Sequence, residues 1–170
     1  ICPADRKIYP LRGLTNTVSS IPLICGSIMS KKISEGICGL IMDIKVGHGA
    51  FMHTLDIAKS LGDVLEKVGE LYGLNISINY TRMDQPLGNA AGLWCEIVES
   101  IECLKGKGPS DVMDVVYHLG INGLKLANIA NPKEKLEEVI NNGDALDRFK
   151  EMIVAQGGDI DVIENPNAII

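Results

Sequence analysis

The chain has 170 residues, 46% of them apolar and 22% charged, with a mean hydropathy of +0.15. This is ordinary globular composition, and it excludes a disordered or fibrous chain. A domain of roughly 150 residues buries about 68–70% of its unfolded surface, so a core is expected without disulfide or metal staples. Sixteen Lys and Arg against 22 Asp and Glu leave a net charge of −6, which argues against a nucleic-acid coat or an anionic membrane surface as the main partner. The charge is uneven. Residues 1–50 carry six positive and three negative side chains and residues 51–170 ten and nineteen, so an anionic ligand is expected nearer the start.

Five cysteines (Cys2, Cys25, Cys38, Cys95, Cys103) form no CxxC pair, and an odd number leaves at least one unpaired. A reducing cytosol fits best. The most apolar run, Ile37 to Val46, is interrupted by Asp43 and Lys45. It is too short to span a bilayer, and no signal-peptide pattern opens the chain. A soluble, cytoplasmic protein is expected. The first residue is Ile1 rather than Met, as in a fragment, a processed chain or an incomplete record.

In chain order, residues 17–36 place Ile21, Ile24, Ile28, Met29 and Ile33 close to helical spacing, with Ser20 and Pro22 as start signals and Gly36 as a stop. ICGLIMDIKV (37–46) is short and β-branched between Gly36 and Gly47, as in a strand buried on both faces of a sheet. GHGAFM then makes a tight turn. Residues 54–72 repeat Leu55, Ala58, Leu61, Leu65, Val68 and Leu71 at intervals of three and four, an amphipathic helix closed by Gly73. NISINYTRM (75–83) alternates Ile76, Ile78 and Tyr80 with polar neighbours, a second strand. Strand, helix, strand is the βαβ pattern of an α/β sheet.

The remainder reads as helical. Residues 88–104 bring Leu93, Ile97, Ile101 and Leu104 to one face, while Glu96, Glu99 and Glu102 form a glutamate stripe. Pro109 and Ser110 open a helix with Val112, Val115, Val116 and Leu119 inward. Asn131-Pro132 and Asp144 cap two more, ending near Gly143 and Gly157. DIDVIENPNAII loses periodicity.

Gly47 and Gly49 follow a strand and precede a helix, the setting of a phosphate-cradling turn, but Met52 stands where a third glycine would complete the fingerprint. A plain βα turn is the alternative. Asp43 and Lys45 lie inside the strand; active-site side chains often gather at the C-terminal ends of sheet strands, and a mutually satisfied buried pair is expected at least as much. Arg6, Lys7, Tyr9, Arg12, Ser27, Lys31 and Lys32 are concentrated near the start. Ser27 and Lys31, four apart on a helix, share one face, although a lone helical Lys is usually solvated. His48, His53 and His118 lack metal-ligand spacing with one another or with cysteine. Trp94, Met29 and Met52 read as packing.

Taken together, YPLRGLT, SIPLICGSIMSKK, MDIKVGHGAFM, TRMDQPLG and VAQGGD, in this order, resemble the pyrimidine-nucleoside phosphorylase and thymidine phosphorylase family from Ala4 to about Pro166. The resemblance implies an α/β fold with a small helical, base-binding lobe, here residues 1–34. A larger α/β, phosphate-side lobe with a mixed sheet flanked by helices would take residues 35–170, with the active site in the cleft between. It implies reversible phosphorolysis, in which phosphate displaces a pyrimidine base from thymidine, uridine or deoxyuridine and leaves a pentose 1-phosphate, by a homodimer without an organic cofactor. Arg12, Ser27 and Lys31 match the base-binding residues, with Tyr9 beside the ring and Arg12 and Lys31 catalytic. A potassium ion is implied near the hinge, held by the carbonyls of Leu87 and Ala90 and the carboxylate of Glu99. Arg82, His48 and Leu93-Trp94-Cys95 depart from the family pattern.

The family's phosphate-gripping segment would lie upstream of Ile1, so no phosphate-binding residue is assigned and this chain alone is expected to be inactive. Two other classes remain open: a catalytically silent relative acting as a binding or assembly module, and a phosphoribosyltransferase. The latter needs an acidic Mg²⁺-diphosphate motif that the chain does not convincingly show.

Overall fold

A computed structural model describes residues 2–165. Eight helices and two strands follow one another as α1 (Pro3–Leu14), α2 (Ile21–Ser34), β1 (Gly39–Val46), α3 (Leu55–Leu71), β2 (Asn75–Arg82), α4 (Leu93–Leu104), α5 (Ser110–Leu126), α6 (Pro132–Asn141), α7 (Asp144–Ala155) and α8 (Asp161–Glu164). They form two compact units: one runs through Gln85 and includes Leu126–Asn128, and the other comprises Pro86–Lys125 and the residues from Ile129 onward.

The first unit is built on the β1–α3–β2 crossover. β1 and β2 pair in parallel, with Asp43 opposite Asn79 and Lys45 opposite Thr81, as a helical connection between neighbouring strands requires. Thr54 caps α3 by accepting a hydrogen bond from the Ile57 amide at 3.4 Å, and Gly73, at φ +71°, ends the last turn. The apolar stripe of α3 turns Ala58, Leu61 and Leu65 into the core. There they meet Cys25 and Met29 of α2, Ile44 of β1, Met52 and Leu74. Gly62 and Gly69 let α3 lie close to β2: a Cβ at Gly62 would fall 2.4 Å from Tyr80 Oη, and one at Gly69 2.2 Å from Ile76 Cδ1. Small residues on the facing stripe set this approach.

The strand over 37–46 is present from Gly39, but the expected burial on both faces is not found. Ile44 is its only fully buried residue, because the described sheet has two strands and helix packing reaches only part of it. The ends of the α3 stripe also differ from the reading, since Leu55 is 45% and Leu71 83% exposed. A helix tangent to a short sheet buries its middle turns only. α1 is an element the sequence pattern did not assign: Pro3 opens it, and Pro10 lies inside it.

In the second unit Ile101, Cys103, Ile140 and Ile163 are buried. Leu93, expected on the inner face of α4, is 92% exposed; as the first helical residue it has no preceding turn to share its face. No residue of α5 is fully buried. Gly143, at φ +91°, takes the N-cap position of α7, and Asp144 is the first helical residue rather than the cap. The described part of the aperiodic segment, through Asn165, contains the single turn of α8, and its last five residues lie outside the described residues.

Replacing Leu65, which is fully buried, with Ala is expected to destabilise the protein by about 2–5 kcal/mol. Leu71→Ala at the solvated end of the same stripe should stay within about 0.5 kcal/mol. Urea unfolding of both variants measures the difference.

Candidate functional site

Two helices place five of the six cationic residues of the first fifty positions, and β1 carries the sixth, Lys45. In α2, Ser20 occupies the N-cap and Pro22 lies in the first turn, where its missing N–H has no intrahelical acceptor to lose. Ser27 and Lys31 then stand one turn apart on one face, with Lys31 Nζ 3.0 Å from Ser27 Oγ. Asp5, in the first turn of α1, reaches both. Its Oδ2 lies 2.6 Å from Lys31 Nζ and accepts from Ser27 Oγ at 3.0 Å. The hydrogen bond from Lys31, then that from Ser27, holds the Asp5 carboxyl below its ordinary value of 3.8. Sequence reasoning missed Asp5. The available signal was a helix over residues 3–14, which would put Asp5 and Arg12 two turns apart on one face.

Arg12 closes α1 and is only 5% exposed. Its Nη2 donates to the Val18 carbonyl, and its guanidinium lies 5.0 Å from the centre of the Tyr9 ring, a cation–π distance. Among the described residues its Nε is buried without a partner. Buried unpaired donors cost about 1–3 kcal/mol and are uncommon in native structures. A buried side chain with five N–H donors and this deficit is a standing positive surface with spare hydrogen-bonding capacity.

Arg12 lines a cavity of about 680 Å³ within the first unit. Tyr9, Ser27, Val18 and Ile24 border it from the side of α1 and α2, Asp43 and Lys45 from β1, Phe51 and His53 from the following turn, and Leu61 and Leu65 from α3. Lys31 is not part of this lining; it joins the site through Ser27 and Asp5. The cavity is therefore mainly apolar, with an arginine, a hydroxyl and an Asp–Lys pair at fixed points, the composition of a small-molecule site.

Asp43 and Lys45 satisfy one another, but as a part-exposed pair at the cavity border rather than a buried one. They pair at 2.5 Å, and Thr81 of β2 completes the set by donating to Asp43 Oδ1 at 2.6 Å while lying 2.8 Å from Lys45 Nζ. Parallel register puts Thr81 beside Lys45, information absent from either strand alone.

Gly47, at φ +133°, and Gly49 form the turn after β1. A Cβ at Gly47 would lie 2.4 Å from Asp84 Oδ1, and that oxygen accepts from the His48 amide at 3.0 Å and contacts His48 Nδ1 at 2.9 Å. The turn is thus fastened by an internal carboxylate. The His48 amide, then its ring, lowers the Asp84 pKa from 3.8.

In the second unit, the glutamates of α4 are not a bare solvated stripe. Glu96 Oε1 accepts from the Gly92 amide at 2.9 Å, Glu102 pairs with Lys105 at 2.9 Å, and Glu99 Oε1 accepts from the Asn89 amide at 2.8 Å. Gly88 lies so close that a Cβ there would stand 2.1 Å from Glu99 Oε2. Asp111, which the sequence reading did not single out, accepts from the Gly88 amide at 3.0 Å. The segment bearing Leu87 and Ala90 is therefore laid against Glu99.

The model of the glycosyl transferase family, a/b domain, matches residues 2–146. The chain belongs to this family. It is 44% identical, over 99% of its own length and 40% of the relative's, to a pyrimidine-nucleoside phosphorylase of Staphylococcus haemolyticus (strain JCSC1435). It is 45% identical over the same shares to those of Staphylococcus aureus strains USA300 and NCTC 8325 / PS 47. The chain thus spans about 40% of the length of these curated relatives, and the resemblance seen in its motifs is borne out across the whole chain. The mixed α/β architecture accords with that family. All five cysteines are free among the described residues, and no described helix is long and apolar enough to cross a membrane.

The pH dependence of stability checks the carboxylate that fastens the turn. The Asp84 pKa is lowered on folding, so its contribution is present above the unfolded value of about 3.9 and is lost as pH falls through the lower folded value. Asp84→Asn is expected to flatten the loss of stability as pH falls below about 4, seen as a smaller drop in Tm on acidification. An unchanged slope would show that Asp84 does not hold the turn.

Proposed function

We propose that this chain carries the base-binding part of a pyrimidine-nucleoside phosphorylase. The reaction is reversible phosphorolysis: phosphate attacks the anomeric carbon of thymidine, uridine or deoxyuridine, the N-glycosidic bond breaks, and the base leaves with the bonding electrons. Arg12 carries the reading. It is buried beside an apolar cavity with an unpartnered Nε, one helix from the Ser27–Lys31 pair, and a base carbonyl offers its guanidinium an acceptor.

Each residue has a distinct task in this mechanism. Negative charge grows on the pyrimidine as the bond breaks, so Arg12 and Lys31 near its carbonyl oxygens stabilise the transition state more than the bound nucleoside. Ser27 hydrogen-bonds the ring N3 position. Tyr9, already against the Arg12 guanidinium, flanks the ring. Phosphate is held by polypeptide outside this chain, and closure around both substrates excludes water that would divert the reaction to hydrolysis.

The same reading takes residues 1–34 as part of the helical lobe and 35–170 as part of the α/β lobe of a cytoplasmic homodimer. It also includes a potassium ion held by the Leu87 and Ala90 carbonyls and Glu99. The donor set suits it: these are hard oxygen ligands, and the close approach of Gly88 to Glu99 Oε2 supports a loop shaped around that carboxylate. The ion would supply fixed positive charge that orders the loop.

The test is free-base release from uridine or thymidine with phosphate, by the 170-residue chain and by a polypeptide extended upstream to supply the phosphate site. Activity is expected in the extended polypeptide only, and there Lys31→Ala should lower kcat/KM by roughly 10²–10³, the effect of losing one oxyanion donor. Activity in neither polypeptide would contradict the reading in favour of a catalytically silent relative. An unchanged kcat/KM would remove Lys31 from the mechanism.

A further inference from the structure

We propose that Asp5 sets the hydrogen-bond polarity of the Ser27 hydroxyl, and thereby makes the site select bases with an N3–H, uracil and thymine, over cytosine. This deepens, and rests on, the base-binding reading of Arg12, Ser27 and Lys31. Ser27 Oγ lies 3.0 Å from Asp5 Oδ2 and 3.0 Å from Lys31 Nζ, and Nζ lies 2.6 Å from the same Oδ2. An ammonium group has three donors and no acceptor, whereas an ionised carboxylate has acceptors only. The serine proton therefore has one destination in the triad, Asp5, and the serine oxygen accepts from Lys31.

A hydroxyl has one proton and two lone pairs. With the proton committed to Asp5 and one lone pair to Lys31, a single lone pair remains for the cavity that Ser27 lines. Ser27 meets a ligand as an acceptor. The N3–H of uracil or thymine matches it, while N3 of cytosine opposes a lone pair to a lone pair. The lowered pKa of Asp5 keeps the carboxylate ionised, and acceptor-only, at neutral pH. Asp5 acts through Ser27 and Lys31 and is a positioning residue. Its side chain is 20% exposed, and it sits on α1 while its partners sit on α2, so the same contact also joins the two helices.

The 170-residue chain, its Asp5→Ala and Asp5→Glu variants, and Ser27→Ala are titrated separately with uracil and with cytosine, followed by NMR shifts, with thermal melts confirming that each is folded. The wild-type chain is expected to bind uracil more tightly than cytosine. Asp5→Ala frees the hydroxyl to donate to cytosine N3 and should shrink the uracil-to-cytosine affinity ratio by about 10-fold, the effect of one correctly polarised hydrogen bond. Asp5→Glu should keep most of the ratio. A merely structural Asp5 would weaken both bases alike, and an unchanged ratio in Asp5→Ala overturns the inference while leaving the base-binding reading standing. Should Asp5→Ala not fold, Ser27→Ala makes the same comparison: a reduced ratio is expected, and an unchanged one overturns the proposal. If the wild-type chain binds neither base, or does not prefer uracil, the inference falls; binding of neither removes the base-binding reading as well.

Discussion

A single carboxylate oxygen, Asp5 Oδ2, fixes the relation between the two helices that begin the chain. It takes the Ser27 hydroxyl and the Lys31 ammonium of α2 from a position in the first turn of α1. The same helix carries Arg12 in its last turn, buried, bonded to the Val18 carbonyl and beside Tyr9. The Asp5–Lys31 pair is part-exposed and its net contribution to stability is small on general grounds. Its consequence is geometric: it orders three polar groups that repulsion and side-chain entropy would otherwise leave scattered.

The floor under this arrangement is apolar. Cys25 and Met29 of α2 pack with Ala58, Leu61 and Leu65 of α3, and with Ile44 of β1. Burial of Cys25 raises its thiol pKa, consistent with a packing role rather than a reactive one. The βα turn at Gly47–Met52 then brings Phe51 and His53 to the cavity rim beside Asp43 and Lys45. Helix, strand and turn thus each contribute one wall of the same cavity, and the close seat of Gly62 on Tyr80 fixes the distance between helix and strand. Within this frame Asp43, Lys45 and Thr81 hold one another, as do Asp5, Ser27 and Lys31.

Patterns spanning one element were legible in the sequence. Helical spacing located α2 and α3, a β-branched run between glycines located β1, and the alternation of Ile76, Ile78 and Tyr80 located β2, because period and end signals are local properties of the chain. Ser27 and Lys31 emerged as a same-face pair for the same reason. Interactions between elements were not legible. Thr81 joins Asp43 and Lys45 only through the parallel register, Asp84 meets His48 across 36 residues, and Asp5 reaches Lys31 across 26. α1 was not assigned from the sequence, and Pro10 sits inside it. By spacing alone Glu99 is one of three equivalent glutamates; the loop at Gly88–Asn89, which closes on it, is a contact between segments that spacing does not show.

The central claim is that Arg12, Ser27 and Lys31, ordered by Asp5, form a face that reads a pyrimidine. A crystal structure of the chain with uracil bound tests it most directly. The account predicts the base in the cavity, its carbonyl oxygens within hydrogen-bond distance of the Arg12 guanidinium and Lys31 Nζ, and N3 on Ser27 Oγ with the Asp5 contacts retained. Uracil bound elsewhere, or seated in the cavity with Arg12 and Ser27 untouched, would contradict it.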